Sequence, residues 1–571
     1  MTAPGRASRR SAARLAAAVA GGGALALTVL PGIGSAASAP APSACSRDWP
    51  MYQHDASRTG AACGAGVTTT NAATLLPAWQ ARTANPVTAT PTVAGGRVFV
   101  GDAGGIFYAL DRTTGARKWT FSVTSPTNGC HADQHHVDYG EITSSAAVAS
   151  LPRGRQLVIF GGGGTLYALD AATGACVWQQ DLDPRNPKSS MEIESSPAVA
   201  AVRGQGVLVF VGSDSNENPG GSAPPGVQAF DAATGALKWK YEPETGPAGT
   251  KVGTLDAPSD TNGCGDVWSS PAVDPGAHSG HGLVVFGTGN CPTRSTVDAI
   301  VAVDATSGDQ VWRFTEPAND YTSARFADGG DTDFGSSPII TTLGSTRAVI
   351  EAGKSGYVYA VAEDPPAGAP TRLLWSSQAA QPGQLGDQFG GAVGGFIGAA
   401  ALGAAVPSGS AAPESTWFGA SAITTPLSSQ STSTNPAVPL PDTSLACVDE
   451  GHGYAPTVAT PACDPLRAAS LHAVDAASGV VRWQQPVSLP SYSAVTYAGG
   501  VVFAPSTTGF QIDAYDAGTG ARLWSFPLGA AVASGAAVAG PAVFLGSGIS
   551  EGGSAVPGIN AVWAFCVAGH C

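Results

Sequence analysis

Charge is scarce in this chain of 571 residues: only 12% are Asp, Glu, Lys or Arg, and the acids outnumber the bases by 42 to 28. The net charge of −14, with no basic run beyond the N-terminal segment, argues against a surface built to hold a polyanion such as nucleic acid. CxxC and CxxCH are both missing, which argues against a thiolate metal centre and excludes a covalently attached c-type haem. After the first 30 residues no apolar run is long enough to span a membrane. What the chain has in quantity is Gly (75) and Pro (43), a composition that suits turn-rich all-β structure and not helices.

Against that background one phrase recurs. It is cleanest at Leu166–Trp178, LYALDAATGACVW, and returns at Phe107–Trp119, Val227–Trp239, Ile300–Trp312, Leu471–Trp483 and Ile512–Trp524. In all six copies Gly follows the Asp by four residues and Trp follows it by eight. Alternating apolar residues before the Asp predict a half-buried strand. The Asp carboxylate can accept turn N–H bonds, Gly supplies positive φ, and the Trp on the returning strand can pack between sheets. One hairpin per repeat, stacked in series, is the mark of a propeller or solenoid.

The first 39 residues read as an export signal: Arg6, Arg9, Arg10 and Arg14 precede the apolar Leu15–Leu30, with small residues at Ser35–Ala39. Secretory or twin-arginine export would equally give an extracytoplasmic protein, and Cys45 lacks a lipoprotein context. In such a compartment the ten cysteines read as disulfides. Sequence proximity suggests Cys45–Cys63, Cys264–Cys291, Cys447–Cys463 and Cys566–Cys571, leaving Cys130 with Cys176, although spacing alone does not prove connectivity.

Residues 40–89 form an N-terminal segment that includes DWPMYQHDASRTG (Asp48–Gly60) and LLPAWQ (Leu75–Gln80). Residues 90–571 divide into blades. The first four run from about Thr90 to Trp119, Thr143 to Trp178, Glu194 to Trp239 and Trp268 to Trp312. Blade five opens at Phe334 and carries the degraded repeat YVYAVAED, with its Trp delayed to Trp375. Blade six begins near Gly390–Leu402, is interrupted by a Ser/Thr/Pro/Ala-rich stretch at about 407–467 read as a surface insertion loop, and resumes at Leu471. Blade seven ends at Trp524. The last unit stops at Cys566 without its Gly and Trp, and LLPAWQ has what is missing: an apolar strand ending in Trp79. Lending that strand to the last blade closes the ring and removes exposed edges. The expected fold is therefore all-β: an eight-bladed β-propeller closed by an N-terminal strand.

The stretch Asn262–Pro292, NGCGDVWSSPAVDPGAHSGHGLVVFGTGNCP, makes a resemblance specific. With DTDFGSSPII and AGKSGYVYAV after it, the chain resembles the pyrroloquinoline quinone (PQQ) propellers of the quinoprotein alcohol dehydrogenases, polyvinyl-alcohol-dehydrogenase-like members above all. The resemblance implies oxidation of a small-molecule or polymeric alcohol by hydride transfer to PQQ held with calcium, and an electron acceptor the sequence does not identify. Carried over residue by residue, it implies that Trp268 stacks on the quinone, that Lys354 contacts its oxygens, and that Ser195 and Ser213 belong to the cofactor-binding set. It implies Glu217 and Asn290 as calcium ligands, a role suited to hard oxygen donors. The catalytic base would be Asp331 or Asp333, with Asp320 behind them, taking the alcohol proton.

A second reading of a different class is a non-catalytic propeller serving as an extracellular binding or assembly scaffold. The missing adjacent Cys-Cys pair and the PGGSAPPG after the Glu217 region point that way. One further cluster, His131, His135 and His136 with Asp133 and Asp138, could form a surface metal site. As an alternative it is a polar loop on the propeller rim.

Overall fold

The Asp-x-x-x-Gly-x-x-x-Trp phrase builds the same hairpin each time it occurs. In the computed structural model the Asp111 carboxylate accepts N–H bonds from Thr113 and Thr114 (both 3.0 Å), and Gly115 takes φ +69°. The Trp then reaches across to the next blade. Trp178 donates its indole N–H to Ala232 O (3.0 Å), Trp239 to Ala305 O (3.1 Å) and Trp483 to Ala517 O (3.0 Å). Each of these rings lies on the turn glycine of the blade it reaches. A Cβ on Gly235 would stand 2.7 Å from the Trp178 ring, and one on Gly308 2.6 Å from that of Trp239. Each repeat is thus stapled to its successor by one ring and one hydrogen bond. The exception is instructive. Blade five has lost the turn pattern, and the Trp312 N–H that should dock on it has no acceptor among the described residues, with Arg372 lying 4.7 Å over its ring.

The model describes residues 47–571 apart from positions 128, 216–222, 244–249, 253–264, 290–297, 317–329, 365–371, 381–382, 386–391, 394, 406–413, 422–469, 487–490, 508, 552–553, 556–557 and 570. The export signal lies outside the described residues. Among the described residues eight blade sheets of antiparallel strands follow one another, the seventh extended by the parallel edge strand Ala61–Ala62. Their innermost strands are Thr92–Ala94, Ala147–Ser150, Ala198–Val202, Ala272–Asp274, Ile339–Leu343, Ala401–Ala405, Thr496–Ala498 and Ala537–Ala539. Apolar side chains of adjoining blades interleave into continuous clusters, such as the one joining Leu208, Phe210 and Trp239 to Val284 and Phe286.

Closure follows the sequence expectation. Leu75–Arg82 pairs antiparallel with Ala561–Val567, completing blade eight. Trp79 donates to Arg112 O (3.1 Å) in blade one, and Trp524 of blade seven donates to Leu75 O (3.0 Å). The staple therefore runs unbroken across the seam. Two expected disulfides are present, Cys130–Cys176 and Cys566–Cys571, and Cys63 is bonded to a cysteine outside the described residues. The pairs Cys264–Cys291 and Cys447–Cys463 lie outside the described residues.

Blade six corrects one expectation. The stretch 407–467, read as a surface insertion loop, contains the blade's second strand, Glu414–Ala420, pairing with Ala401–Ala405 on one side and Ser470–Asp475 on the other. Trp417 and Phe418 at its centre are fully buried. The strand is short, and its Ser/Pro/Ala-rich flanks hid its alternation.

The staple carries a prediction. Gly235→Ala puts a Cβ into the Trp178 ring at φ +73°, so it should destabilise the protein by roughly 2–4 kcal/mol, combining left-handed strain with overpacking. Denaturant unfolding checks this, and a variant as stable as the parent would remove the staple as an explanation.

Candidate active site on the propeller axis

The innermost strands bring a repeated short phrase to the axis: TATP, TSSA, ESSP, WSSP and GSSP in blades one to five. Its hydroxyls form a belt. Thr90 N–H donates to Ser145 Oγ (2.9 Å), Ser145 N–H to Ser196 Oγ (3.0 Å), Ser196 N–H to Ser270 Oγ (2.9 Å) and Ser270 N–H to Ser337 Oγ (3.1 Å). Gly535 N–H donates to Thr90 Oγ1 (2.9 Å), extending the belt back to blade eight. Above the belt lies an axial cavity of about 190 Å³, lined among others by Thr88, Thr143, Glu194, Trp268, Gly335 and Tyr492.

The N-terminal segment DWPMYQHDASRTG, which carries no repeat, contributes Tyr52 to the lining of this cavity. It crosses the axis bonding to the innermost strand of one blade after another. Trp49 exchanges two bonds with Val93 (both 2.8 Å), and Pro50 O accepts from Val148 N (2.8 Å). Ala56 O accepts from Val273 N (2.6 Å), Ser57 O from Ile340 N (3.0 Å), Thr59 O from Leu402 N (2.7 Å) and Gly60 O from Tyr497 N (2.8 Å). Three non-glycine residues of the plug, Gln53, His54 and Arg58, are held at φ +52°, +71° and +58°. That is conformational strain which persists because the surrounding blades over-determine it. Gln53 fills the small-residue sector of blades six and seven, donating to Ala400 O (2.6 Å) and Val495 O (3.1 Å). Tyr52 faces the cavity, and burial pushes its phenol up to about 12.

At Trp268 in the cavity wall three sequence-selected residues meet. Lys354, in the hairpin before Tyr357–Ala362, is buried, not solvated: its ammonium lies 3.0 Å from Asp333 Oδ2 and 5.1 Å from the centre of the Trp268 ring. Its backbone N–H also donates to Asp333 O (2.9 Å). Trp268 sits between two motif glycines. A Cβ on Gly335 of DTDFGSSP would fall 1.4 Å from its ring, and one on Gly289 of FGTGN 3.5 Å from its Nε1. The three motifs on blades four and five therefore converge on one indole.

The other candidates divide. Ser195 and Ser213 are fully buried within blade three. Ser195 Oγ accepts from Gly212 N (2.9 Å), while Ser213 Oγ accepts from Gly226 N (3.1 Å) and Gln228 Nε2 (3.0 Å). The structure brings Glu194 and Ser196 to the cavity beside them. Asp331 is backbone-paired to Gly383 in a small strand and its side chain is not described. Glu217, Asn290 and Asp320 lie outside the described residues. Glu194 and the plug were missed by the sequence reading, and the recurrence of x-S-S-P would have found the first.

The histidine cluster resolves into a clamp. His135 Nδ1 lies 2.8 Å from Asp133 Oδ1 and its Nε2 3.3 Å from Asp181 Oδ1, whereas exposed His136 faces Asp138 at 3.3 Å. Among the described residues no three such side chains are grouped to hold a metal ion. Burial works against protonation of His135, but the Asp133 and Asp181 carboxylates outweigh it and raise its pKa to about 9. The folded state thus holds this proton more tightly than the unfolded chain. Its stabilisation is complete below about pH 6.5 and is lost as pH rises through about 9. Melting temperatures from about pH 6 to about pH 10 should fall more steeply in the parent than in His135→Gln, and parallel curves would remove the clamp.

Fold and site together define a closed eight-bladed propeller with a plugged axis and a buried Lys–Asp pair against an indole in the cavity wall. The chain belongs to the family described as glucose/ethanol/alcohol dehydrogenase, beta-propeller domain, whose model matches residues 49–365. A second model, outer membrane protein assembly factor BamB, matches residues 427–556. The chain is 28% identical over 350 residues to polyvinylalcohol dehydrogenase of Pseudomonas sp, covering 57% of this chain and 50% of that protein. It is also 28% identical over 306 residues to quinohemoprotein alcohol dehydrogenase ADH-IIG of Pseudomonas putida, covering 48% and 38%. The matches thus span half or less of these relatives' length. In fold, the quinohemoprotein alcohol dehydrogenase of Comamonas testosteroni superposes with a TM-score of 0.62 at 19% identity, over 92% of this chain and 82% of that one.

Proposed function

We propose that the protein is a secreted quinoprotein that oxidises an alcohol, using PQQ held with calcium. The observation that carries this reading is the Trp268–Lys354–Asp333 constellation. A flat indole with a buried cation beside it, in the wall of a hydroxyl-lined cavity, fits a planar anionic cofactor. Trp268 would offer the stacking face, and Lys354 would hold the cofactor's oxygens as a desolvated point charge. Calcium would fall to Glu217 and Asn290, on the strength of the family resemblance and the oxygen donors they offer. Bound PQQ supplies the two-electron acceptor that no side chain can.

The remaining chemistry belongs to this chain. Asp333 accepts the proton of the substrate hydroxyl as the C–H bond breaks. Its neighbour Lys354 favours the ionised carboxylate needed for that task, since an opposite charge at 3.0 Å stabilises it. The plug closes the far end of the axis, so substrate arrives from the Lys354 side. The polyvinylalcohol dehydrogenase relative supports an alcohol of small or polymeric form as substrate.

The test is titration of PQQ with calcium into the purified protein, followed by alcohol-driven dye reduction. Quenching of Trp fluorescence on PQQ uptake and dye reduction with an alcohol are the expected results. If neither occurs with a panel of alcohols, the enzyme reading falls and a non-catalytic scaffold stands in its place.

A further inference from the structure

In the Trp268 constellation the Lys354 ammonium has a carboxylate, that of Asp333, at 3.0 Å. The buried cation of the plug has none at that distance among the described residues. Arg58 of the plug is fully buried, and among the described residues its guanidinium donates to three backbone carbonyls and lies 5.7 Å over the Tyr52 ring. Nε donates to Pro271 O (2.8 Å), Nη1 to Tyr52 O (2.7 Å) and Nη2 to Ser196 O (2.6 Å). Among the described residues no carboxylate is within ion-pair distance of it. Asp55, the acid whose charge it feels, is occupied with Thr59 (Thr59 N–H, 3.2 Å) and His54 (3.3 Å). Burial lowers the Arg58 pKa only to about 10, so the cation persists at neutral pH.

Its place is fixed by its acceptors. Pro271 follows Trp268 by three residues and immediately precedes the innermost strand of blade four, and Ser196 belongs to the hydroxyl belt. Three residues span at most about 10 Å of backbone. A buried positive charge with no carboxylate at ion-pair distance among the described residues therefore lies beside the cavity, on the order of 10 Å from the indole.

We propose that Arg58 is an electrostatic residue of the redox site, its buried charge favouring the reduced, more negative state of PQQ bound against Trp268. The inference rests on the PQQ reading above. When the alcohol gives up a hydride to the cofactor and a proton to Asp333, the cofactor gains two electrons and one proton, and so one unit of negative charge. A unit charge at about 10 Å in an effective dielectric of about 20 shifts such an equilibrium roughly tenfold. A plug serving only as mechanical closure needs the three hydrogen bonds of Arg58 but not its charge.

The experiment is spectroelectrochemical titration of the PQQ-loaded parent, Arg58→Gln and Arg58→Lys, with melting curves confirming that each is folded. At a fixed potential the reduced-to-oxidised ratio should fall roughly tenfold in Arg58→Gln and stay near the parent in Arg58→Lys. Equal ratios in all three, or equal shifts in both variants, overturn the proposal and leave Arg58 a structural anchor. Should Arg58→Gln fail to fold, Arg58→Lys carries the test alone. A buried ammonium loses its charge at a pH where guanidinium keeps it, so its potential must depart from the parent as pH rises. Curves that stay together overturn the proposal. A parent that takes up no PQQ overturns the functional reading and this inference with it, whereas a loaded parent with an unmoved Gln variant overturns this inference alone.

Discussion

Asp333→Asn should bind PQQ at least as tightly as the parent while its turnover falls by ~10²–10⁴, the usual loss when a general base is removed. The two effects have one cause. The Asp333 carboxylate lies 3.0 Å from the Lys354 ammonium, and both side chains are almost fully buried. Asn keeps the shape and can accept one hydrogen bond, but it cannot neutralise the ammonium or take a proton from an alcohol. Lys354 then lacks the Asp333 counter-charge, which an anionic cofactor can supply, so cofactor affinity holds or rises as kcat drops. Lys354→Met should do the reverse. It removes the cation that would hold the cofactor and leaves Asp333 buried without its partner, so PQQ affinity falls first and stability suffers with it. Fluorescence titration separates binding from the dye-reduction rate. Undiminished turnover in Asp333→Asn would move the base to Asp331 or Asp320.

This site was unevenly legible in the sequence. Trp268, Lys354 and Asp333 could be chosen because each stands in a short motif with glycines at fixed places, and those glycines are what let the chains approach the indole. The burial of Lys354 was not legible: a Lys-Ser-Gly hairpin ordinarily points its lysine at water. The plug was invisible for another reason. DWPMYQHDASRTG has no periodicity, since it bonds to the inner strands with carbonyls and N–H groups while Trp49, Gln53 and Arg58 turn inward from left-handed or irregular backbone. Blade six shows the same limit, because Ser/Thr/Pro/Ala-rich sequence on both sides concealed the strand Glu414–Ala420. The repeat even fixed the blade-to-blade contact, since the Asp, Gly and Trp that define it are the residues that form the staple.

Deleting Leu75–Arg82 should abolish the soluble, monomeric state. The segment is the fourth strand of blade eight, pairing along Ala561–Val567 from Leu75↔Val567 to Arg82↔Ala561. Without it that strand becomes an open edge rich in apolar residues (AVWAFCV), a template for pairing with another chain. Two staples go as well, since Trp79 no longer reaches Arg112 O and Trp524 loses Leu75 O as acceptor. The plug does not compensate, because it binds the inner strands and leaves the outer edge of blade eight uncovered. A milder variant separates strand from staple. Trp79→Ala keeps the backbone ladder and removes only the ring packed on Gly115 and Phe544, so it should cost about 3–5 kcal/mol and stay monomeric. Size-exclusion chromatography and thermal melting read both. If the deletion variant is monomeric and melts with the parent, the ring is not closed by this strand. If Trp79→Ala aggregates as the deletion does, the staple and not the ladder holds the seam.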